Sequence, residues 1–318
     1  MSEYFLGVDG GQSSTVAVIG DEKGQIAGWA TAGPCNHVGA AEGRAKFLRV
    51  MGECLAQAAA RAGLNATRPK FKSACLGMSG GPDDKSALLK DLIDADHIQV
   101  THDAKIALAG ATEGEPGVIV IAGTGSIAYG ENAQKESARA GGWGYIFGDE
   151  GGAFDIARQA LRAILREWEG WGPRTALTPA LLELTGAANA NDALHRLYTV
   201  HWPRPRVAAL AMTVDRIASE GDPVAADLLR HSAQQLALLA ASVRRQLWSE
   251  DSQRPSPVKI SWTGGVFESQ ILLDRFRTLA VLDGNNEAAP PTRSPAAGAL
   301  ILAYRAAGLS LMPHPFAE

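Results

Sequence analysis

Residues 4–20 are YFLGVDGGQSSTVAVIG, and residues 118–130 repeat the same pattern as VIVIAGTGSIAYG. Each stretch is an apolar run, a glycine turn and a second apolar run, which predicts a strand, a tight turn and a strand. After the first copy, a weaker strand is predicted over residues 26–30, and helical and strand patterns then alternate. Such an order predicts a mixed sheet with helices on its faces. The recurrence therefore predicts two α/β domains of one type.

The boundary between the two copies is predicted near residues 115–117, at the end of the segment ATEGEPG. We expect an N-terminal domain over residues 1–116 and a larger, helix-rich C-terminal domain over residues 117–295. A closing helix over residues 296–309 is expected to pack back on the N-terminal domain. A chain of 318 residues agrees with two domains at roughly 150 residues each. Helical spacing in the second half extends over residues 151–168, 207–220 and 223–248.

Composition and charge exclude several classes of protein. The chain is 46% hydrophobic and 20% charged, which is typical of globular proteins. Its 30 basic and 34 acidic residues give a net charge of −4, so electrostatics give no reason to expect binding to nucleic acid or to an anionic membrane. The start MSEYFLGVDGG lacks the basic and apolar regions of a secretory signal. No apolar run approaches the ~20 residues that span a bilayer.

The cysteines Cys35, Cys54 and Cys75 show no CxxC spacing. We interpret them as free thiols in a reducing compartment and not as a zinc or disulfide framework. Together with the composition, this predicts a cytoplasmic protein. The oligomeric state stays open, with a homodimer as one candidate.

The first glycine turn, VDGGQSST at residues 8–15, has the composition of a phosphate-binding turn. Successive N–H groups at glycines form an anion nest, and the hydroxyls of Ser13, Ser14 and Thr15 could donate to the same oxygens. Asp9 could hold Mg²⁺ through water, because Mg²⁺ gives up its hydration shell reluctantly. The alternative is an ordinary hairpin turn, which DGG by itself favours. The candidate nucleotide contacts in this turn are Gly10, Gly11, Gln12, Ser13 and Ser14.

A second turn, AGTGS at residues 122–126, occupies the corresponding place in the second copy. One such turn is weak evidence, but two at matching positions favour a polyphosphate ligand. A third glycine pair, in TGG at residues 263–265, ends a strand and suits close approach by a base or ribose. The chain lacks GxxxxGK[ST], which excludes a P-loop enzyme. The candidates here are Gly123, Thr124, Gly125, Ser126, Gly264 and Gly265.

Seven segments of the chain carry a recognisable pattern. In order, they are GVDGGQSS, GPCNH, GMSGG, THDA, IAGTGS, GGWGYIFGDEGGAFDIARQAL and TGGVF. Together they resemble the sugar-kinase and actin-like ATPase superfamily and, within it, the BadF/BadG/BcrA/BcrD ATPase family, particularly its N-acetylglucosamine kinase branch. The resemblance implies two ribonuclease-H-like domains, each a mixed sheet flanked by helices, with the active site in the cleft between them and ATP as co-substrate.

The resemblance also implies roles for individual residues. Asp103 would be the base that takes the proton from the 6-hydroxyl, and Thr124 would lie between the sugar and the γ-phosphate. Trp143 would lie near the N-acetyl group, and Asp149 would bind sugar hydroxyls. Asp103 and Asp149 also precede helical patterns, so a helix N-cap is the alternative for each. The full set of implied sugar contacts is Asn36, Asp103, Thr124, Trp143, Gly144 and Asp149.

The implied activity is ATP-dependent phosphorylation of the 6-hydroxyl of an amino sugar, with Mg²⁺ and with N-acetylglucosamine as the first candidate. Glucosamine and N-acetylmuramic acid stay open as substrates, because relatives handle each of them. Gln12 stands where many relatives have a third glycine, which could alter the approach to the β-phosphate.

Three alternative functions belong to other classes of protein. An activator of a radical dehydratase needs cysteine ligands for a [4Fe–4S] cluster in the second domain, and no cysteine follows Cys75. A sugar-sensing repressor would carry a helix-turn-helix segment and a basic face, which neither the residues before Tyr4 nor the acidic balance indicates. An ATPase without a sugar substrate stays open.

Overall fold

The computed structural model describes residues 3–11, 14–35, 41–79, 85–89, 91–248, 257–282 and 284–316. It divides into two compact units. The first unit comprises Met1–Pro116 and Pro290–Glu318, and the second comprises Gly117–Ala289.

The strands of the described residues form one sheet in each unit. In chain order they are β1 (Tyr4–Gly10), β2 (Thr15–Asp21), β3 (Ile26–Ala32), β4 (Lys70–Met78), β5 (Asp94–His102), β6 (Gly117–Ala122), β7 (Ser126–Glu131), β8 (Ser137–Gly141), β9 (Val258–Thr263) and β10 (Asn286–Ala288).

The helices cover the sheets and fill most of the second unit. In chain order they are α1 (Ala41–Arg61), α2 (Ser86–Leu89), α3 (Asp103–Thr112), α4 (Ala153–Trp168), α5 (Leu177–Thr185), α6 (Ala190–Leu197), α7 (Arg204–Ala208), α8 (Ala211–Ser219), α9 (Pro223–Leu247), α10 (Gln270–Leu282) and α11 (Pro295–Ala306). A short 3₁₀ helix at Gly265–Glu268 follows β9.

The two sheets have the same topology. The first has the order β3-β2-β1-β4-β5 and the second β8-β7-β6-β9-β10. In each sheet, the first three strands form an antiparallel meander and the last two run parallel to the central strand. The predicted fold class, two ribonuclease-H-like domains with mixed sheets flanked by helices, is confirmed.

The first sheet is buried on both faces, as the apolar character of its central strands requires. Leu6 and Val8 pack with α1 on one face. Phe5 lies on the other face with Leu300 and Tyr304 of α11. The C-terminal helix α11 therefore belongs to the core of the first unit, where it also packs against α3.

The structure differs from the sequence-based expectations in several local elements. Residues 207–220, predicted as one helix, belong to α7 and α8, which are separate. Pro203 and Pro205 explain the early start of α7, because proline is favoured at the beginning of a helix. The strands β8 and β10 were not predicted, since SARAG and NEA are short and polar. Both lie at sheet edges, where such sequences are common.

The three cysteines are free and buried. Burial raises the pKa of Cys54 to about 11 and that of Cys75 to about 12. These thiols therefore stay protonated at neutral pH and are poor nucleophiles. Among the described residues, every helix is too short or too polar to cross a membrane.

Candidate functional site

The carboxyl edge of the first sheet carries the candidate residues of the first unit. The strands β1, β4 and β5 run parallel, with Asp9 beside Gly77 and Met78 beside His102. Ligands of such sheets bind outside the carboxyl ends of the strands. Since β4 separates β1 from β5 and neighbouring strands lie about 4.8 Å apart, the backbones of these two strands are roughly 10 Å apart.

Asp103 begins α3 immediately after β5, and it is half-buried. Its Oδ1 accepts a hydrogen bond from the N–H of Ala104 at 2.8 Å. The N-cap position belongs to His102, whose side chain makes no capping bond. Asp103 therefore bonds to its own helix without occupying the N-cap position.

The surroundings of Asp103 shift its affinity for protons. Burial raises the pKa of the Asp103 carboxyl above its ordinary value and is the largest effect. The N–H of Ala104, the hydroxyl of Ser79 and the nearby charges of His102 and Lys85 act in the opposite direction. A carboxylate with a raised pKa accepts a proton more readily, which suits a general base.

Lys85 and Ser79 also belong to this edge. Ser79 lies in the GMSGG segment but was assigned no role from sequence, and Lys85 lies outside every motif. The side chain of Lys85 is buried, and its Nζ donates to the carbonyl of Ser79 at 2.8 Å. The N–H of Ser79 in turn donates to the carbonyl of Gly10 at 3.0 Å. Ser79 thus ties the first glycine turn to Lys85 and Asp103. In sequence, Lys85 follows PDD and resembles an ordinary exposed loop lysine.

The first glycine turn is described in part. The N–H of Gly11 donates to the carbonyl of Ser14 at 2.9 Å and closes the turn. The hydroxyl of Thr15 donates to the carbonyl of Gly33 at 2.9 Å, so this buried hydroxyl is engaged within the unit. Three predicted contacts, Gln12, Ser13 and Asn36, lie outside the described residues.

In the second unit, the AGTGS turn is joined to the segment that leads into α4. The N–H groups of Ala153 and Phe154 donate to the carbonyls of Gly123 and Thr124 at 2.8 and 3.1 Å. The hydroxyl of Ser126 donates to the carbonyl of Glu150 at 2.6 Å. Two motifs that are separate in sequence therefore form one local structure, and the Ser126 hydroxyl is used to hold it.

Asp149 lies at the centre of this structure. It is only 5% exposed, and its backbone has the left-handed φ of 65°. Its Oδ1 accepts from the N–H of Ser126 at 3.4 Å, and Arg204 of α7 donates to its Oδ2. Non-glycine residues in this conformation are uncommon and concentrate at functional sites.

Contacts around Asp149 fix its position, and they show that it is not the N-cap of the following helix. A Cβ on Gly125 would lie 2.5 Å from the Asp149 Cγ, so the turn needs glycine there. The N-cap of α4 is Gly152 and receives no side-chain bond. Asp149 is therefore not the cap of α4. Its partner Arg204, which the sequence analysis did not identify, also lies over the Tyr145 ring at 5.1 Å from the ring centroid.

The third glycine pair lies beside the AGTGS turn, because β9 pairs in parallel with β6. Gly264 has φ of 107°, and a Cβ there would lie 2.3 Å from the carbonyl oxygen of Ala122. A Cβ on Gly265 or on Gly123 would meet nothing within 4 Å. The backbone on this edge is therefore open at Gly123 and Gly265, which fits a ligand that approaches the main chain closely.

We expect Gly264→Ala to destabilise the protein, because the substitution forces both a clash with Ala122 and a disfavoured φ. The strain alone should cost roughly 1–3 kcal/mol, which corresponds to a loss of several degrees in Tm. Thermal denaturation measures it. Gly265→Ala is the matched control and should retain the wild-type Tm. Equal stability of the two variants would contradict the packing described here.

The loop between β8 and α4 exposes aromatic side chains. Trp143 is 64% exposed, and the Arg139 guanidinium lies over its ring at 4.5 Å from the centroid. Gly144 has φ of 82°, and its carbonyl accepts from the N–H groups of Phe147 and Gly148 at 3.1 and 2.8 Å. Trp143 is therefore held at a tight turn on the surface of its unit.

The described residues contain no group of three or more His, Cys, Asp or Glu side chains that could hold a metal ion. Asp9, half-buried at the end of β1, offers a single carboxylate. One carboxylate fits Mg²⁺ that keeps most of its waters and is shared with a phosphate group.

Comparisons with known proteins cover nearly the whole chain. Residues 6–303 match the BadF/BadG/BcrA/BcrD ATPase family. The chain is 32% identical to an N-acetylmuramic acid/N-acetylglucosamine kinase of Clostridium acetobutylicum, over 86% of this chain and 89% of that protein. It is 30% identical to an N-acetyl-D-glucosamine kinase of Dictyostelium discoideum, over 95% of this chain and 98% of that protein.

A solved structure gives the same result for the fold. A protein of Chromobacterium violaceum, assigned as a candidate N-acetylglucosamine kinase, superposes with a TM-score of 0.72. The superposition covers 94% of this chain and 98% of the other, at 26% sequence identity.

Proposed function

Because the chain belongs to the BadF/BadG/BcrA/BcrD ATPase family, we propose that it phosphorylates the 6-hydroxyl of an amino sugar, with ATP as donor. N-acetylglucosamine is the first candidate substrate. Two relatives that match most of the chain are named as kinases of this sugar, which supports the choice. The observation that carries the proposal is the half-buried Asp103 carboxylate, with its raised pKa, at the carboxyl edge of the first sheet.

Asp103 is proposed to act on the attacking hydroxyl. Phosphoryl transfer requires a positioned nucleophile and stabilised charge more than a covalent intermediate. A carboxylate within hydrogen-bond reach of the 6-hydroxyl orients it for in-line attack and takes its proton. The contact with Ala104 fixes one carboxylate oxygen of Asp103.

The glycine turns are proposed to hold ATP. In the second unit, the open backbone at Gly123 and Gly265 lets phosphate, ribose or base approach the main chain. In the first unit, Gly10 and Gly11 offer a further turn at the end of β1. Asp9 would hold Mg²⁺ through water. When bound, Mg²⁺ neutralises charge on the phosphate oxygens.

The loop before α4 is proposed to bind the sugar. Trp143 offers an exposed ring for the acetyl methyl, and the turn at Gly144 leaves the backbone accessible. Asp149 would accept hydrogen bonds from sugar hydroxyls while Arg204 holds its carboxylate. Thr124 would lie beside the transferred phosphoryl group. Asn36, outside the described residues, keeps its proposed role in sugar binding.

Other substrates are testable alternatives. N-acetylmuramic acid is named for the Clostridium acetobutylicum relative. A glucosamine kinase of Vibrio cholerae is 26% identical over 76% of this chain. An ATPase that needs no sugar is a further alternative.

ADP release with and without added sugar tests the proposal. The panel contains N-acetylglucosamine, glucosamine, N-acetylmuramic acid, N-acetylmannosamine and glucose. We expect strong stimulation by N-acetylglucosamine and a product whose NMR spectrum shows phosphate on the 6-oxygen. ATP turnover that no sugar changes would contradict a kinase, and phosphate at another oxygen would contradict the proposed position.

The pH dependence should report on Asp103. The base must be ionised, so activity falls as the pH drops through its pKa. Because burial raises that pKa from the ordinary 3.8, the acidic limb of the kcat/KM profile should lie above pH 3.8. Asp103→Asn should remove this limb from its residual activity. If the acidic limb persists unchanged in Asp103→Asn, it reports the titration of a group other than Asp103.

A further inference from the structure

We propose that Lys85 is a positioning residue for the candidate base, holding Asp103 in place through Ser79 and through its own charge. The inference rests on the proposed function, because it assigns Lys85 a part in the same phosphoryl transfer. No motif of the resemblance includes Lys85, so this role could not be predicted from sequence.

The geometry places Ser79 between three elements of the site. Its carbonyl accepts from Lys85 Nζ at 2.8 Å, and its N–H donates to the carbonyl of Gly10 at 3.0 Å. Its hydroxyl hydrogen-bonds the Asp103 carboxylate. The Lys85 ammonium therefore fixes the residue that contacts both the first glycine turn and the candidate base.

Burial makes Lys85 unusual. Its relative exposure is 3%, whereas lysine is almost never fully buried unless it is paired. Burying an ammonium group carries a desolvation cost that hydrogen bonds and opposite charges must offset. An apolar side chain of similar length would fill the same space without that cost. A role for the charge explains why the position holds lysine.

The charge acts on Asp103 directly. Among the residues that the structure describes, the charged groups that act on this carboxylate are His102, the last residue of β5, and Lys85, from the segment after β4. Both favour its ionised form, in opposition to burial. His102 is exposed, so solvent screens its charge more than that of the buried Lys85.

The first test is steady-state kinetics of Lys85→Met with N-acetylglucosamine and ATP. We expect kcat to fall about tenfold, a part of what a general base contributes, while KM for both substrates stays within a factor of about three. The acidic limb of the pH profile should move upward, because Asp103 loses a favourable charge. Lys85→Arg should retain more activity. Lys70→Met removes an exposed lysine of β4 and is the matched control.

A double-mutant cycle shows whether Lys85 acts through Asp103. In the Asp103→Asn background, Lys85→Met should cause little further loss of kcat, because the carboxylate that it positions is already absent. Independent, multiplicative losses would overturn the proposal, as would an unshifted acidic limb. If Lys85→Met does not fold, Ser79→Ala removes the hydroxyl that bonds Asp103, and it must lower kcat at unchanged KM.

Failure of the proposal for Lys85 can be distinguished from failure of the proposed kinase function. Absence of sugar phosphorylation by the wild-type protein would reject the kinase itself. A wild-type kinase whose kcat is unaffected by Lys85→Met would reject only the role of Lys85.

Discussion

Asp103→Asn is expected to lower kcat for sugar phosphorylation by about 10²–10⁴, the usual contribution of a positioned general base. Asparagine has nearly the same shape and can still accept the hydrogen bond from Ala104. It cannot take the proton of the attacking hydroxyl. ATP affinity should stay close to that of the wild type, because Asp103 is proposed to contact the hydroxyl and not the nucleotide.

The measurements are initial rates of ADP release at saturating sugar, together with nucleotide affinity by calorimetry. Asp96→Asn is the matched control, since Asp96 is an exposed carboxylate on β5, the strand that leads into Asp103, and is paired with Lys72. This control should keep wild-type activity. An Asp103→Asn enzyme with more than about a tenth of wild-type turnover would show that Asp103 is not the base.

The fold was predictable because its main signals are local. Strand β1 and its repeat, β6, are continuous apolar runs that end in glycine turns, and their sheets have the same order. The strands β8 and β10 were missed because their sequences, SARAG and NEA, carry no apolar run. Such strands are specified by pairing at a sheet edge and not by their own composition.

Residues of the candidate site could be identified from sequence only where they belong to a recognisable motif. The glycine at residue 264 can be identified from sequence as a turn residue, and the structure adds the carbonyl of Ala122 that enforces it. Lys85 and Arg204 carry no such signal. Arg204 becomes significant through Asp149, which lies 55 positions away, and Lys85 through its contact with Ser79 and the neighbouring Asp103. Pairs of this kind are products of the tertiary fold.

Trp143→Ala is expected to reduce kcat/KM for N-acetylglucosamine by about 10–200-fold relative to its effect on glucosamine. This is the range for a contact of methyl size in an apolar pocket. The ring is proposed to cover the acetyl methyl, which glucosamine lacks. Because Trp143 is 64% exposed, its removal should leave no large cavity, and the Tm should change little.

Trp171→Ala provides the matched control. Trp171 is 66% exposed, and an arginine, Arg166, lies over its ring at 5.0 Å from the centroid. The two tryptophans therefore have similar exposure and similar stacking, but Trp171 lies outside the glycine loop. Trp171→Ala should leave kcat/KM for both sugars near the wild-type value. If Trp143→Ala loses equal kcat/KM on the two sugars, Trp143 does not determine specificity and only maintains the shape of the loop.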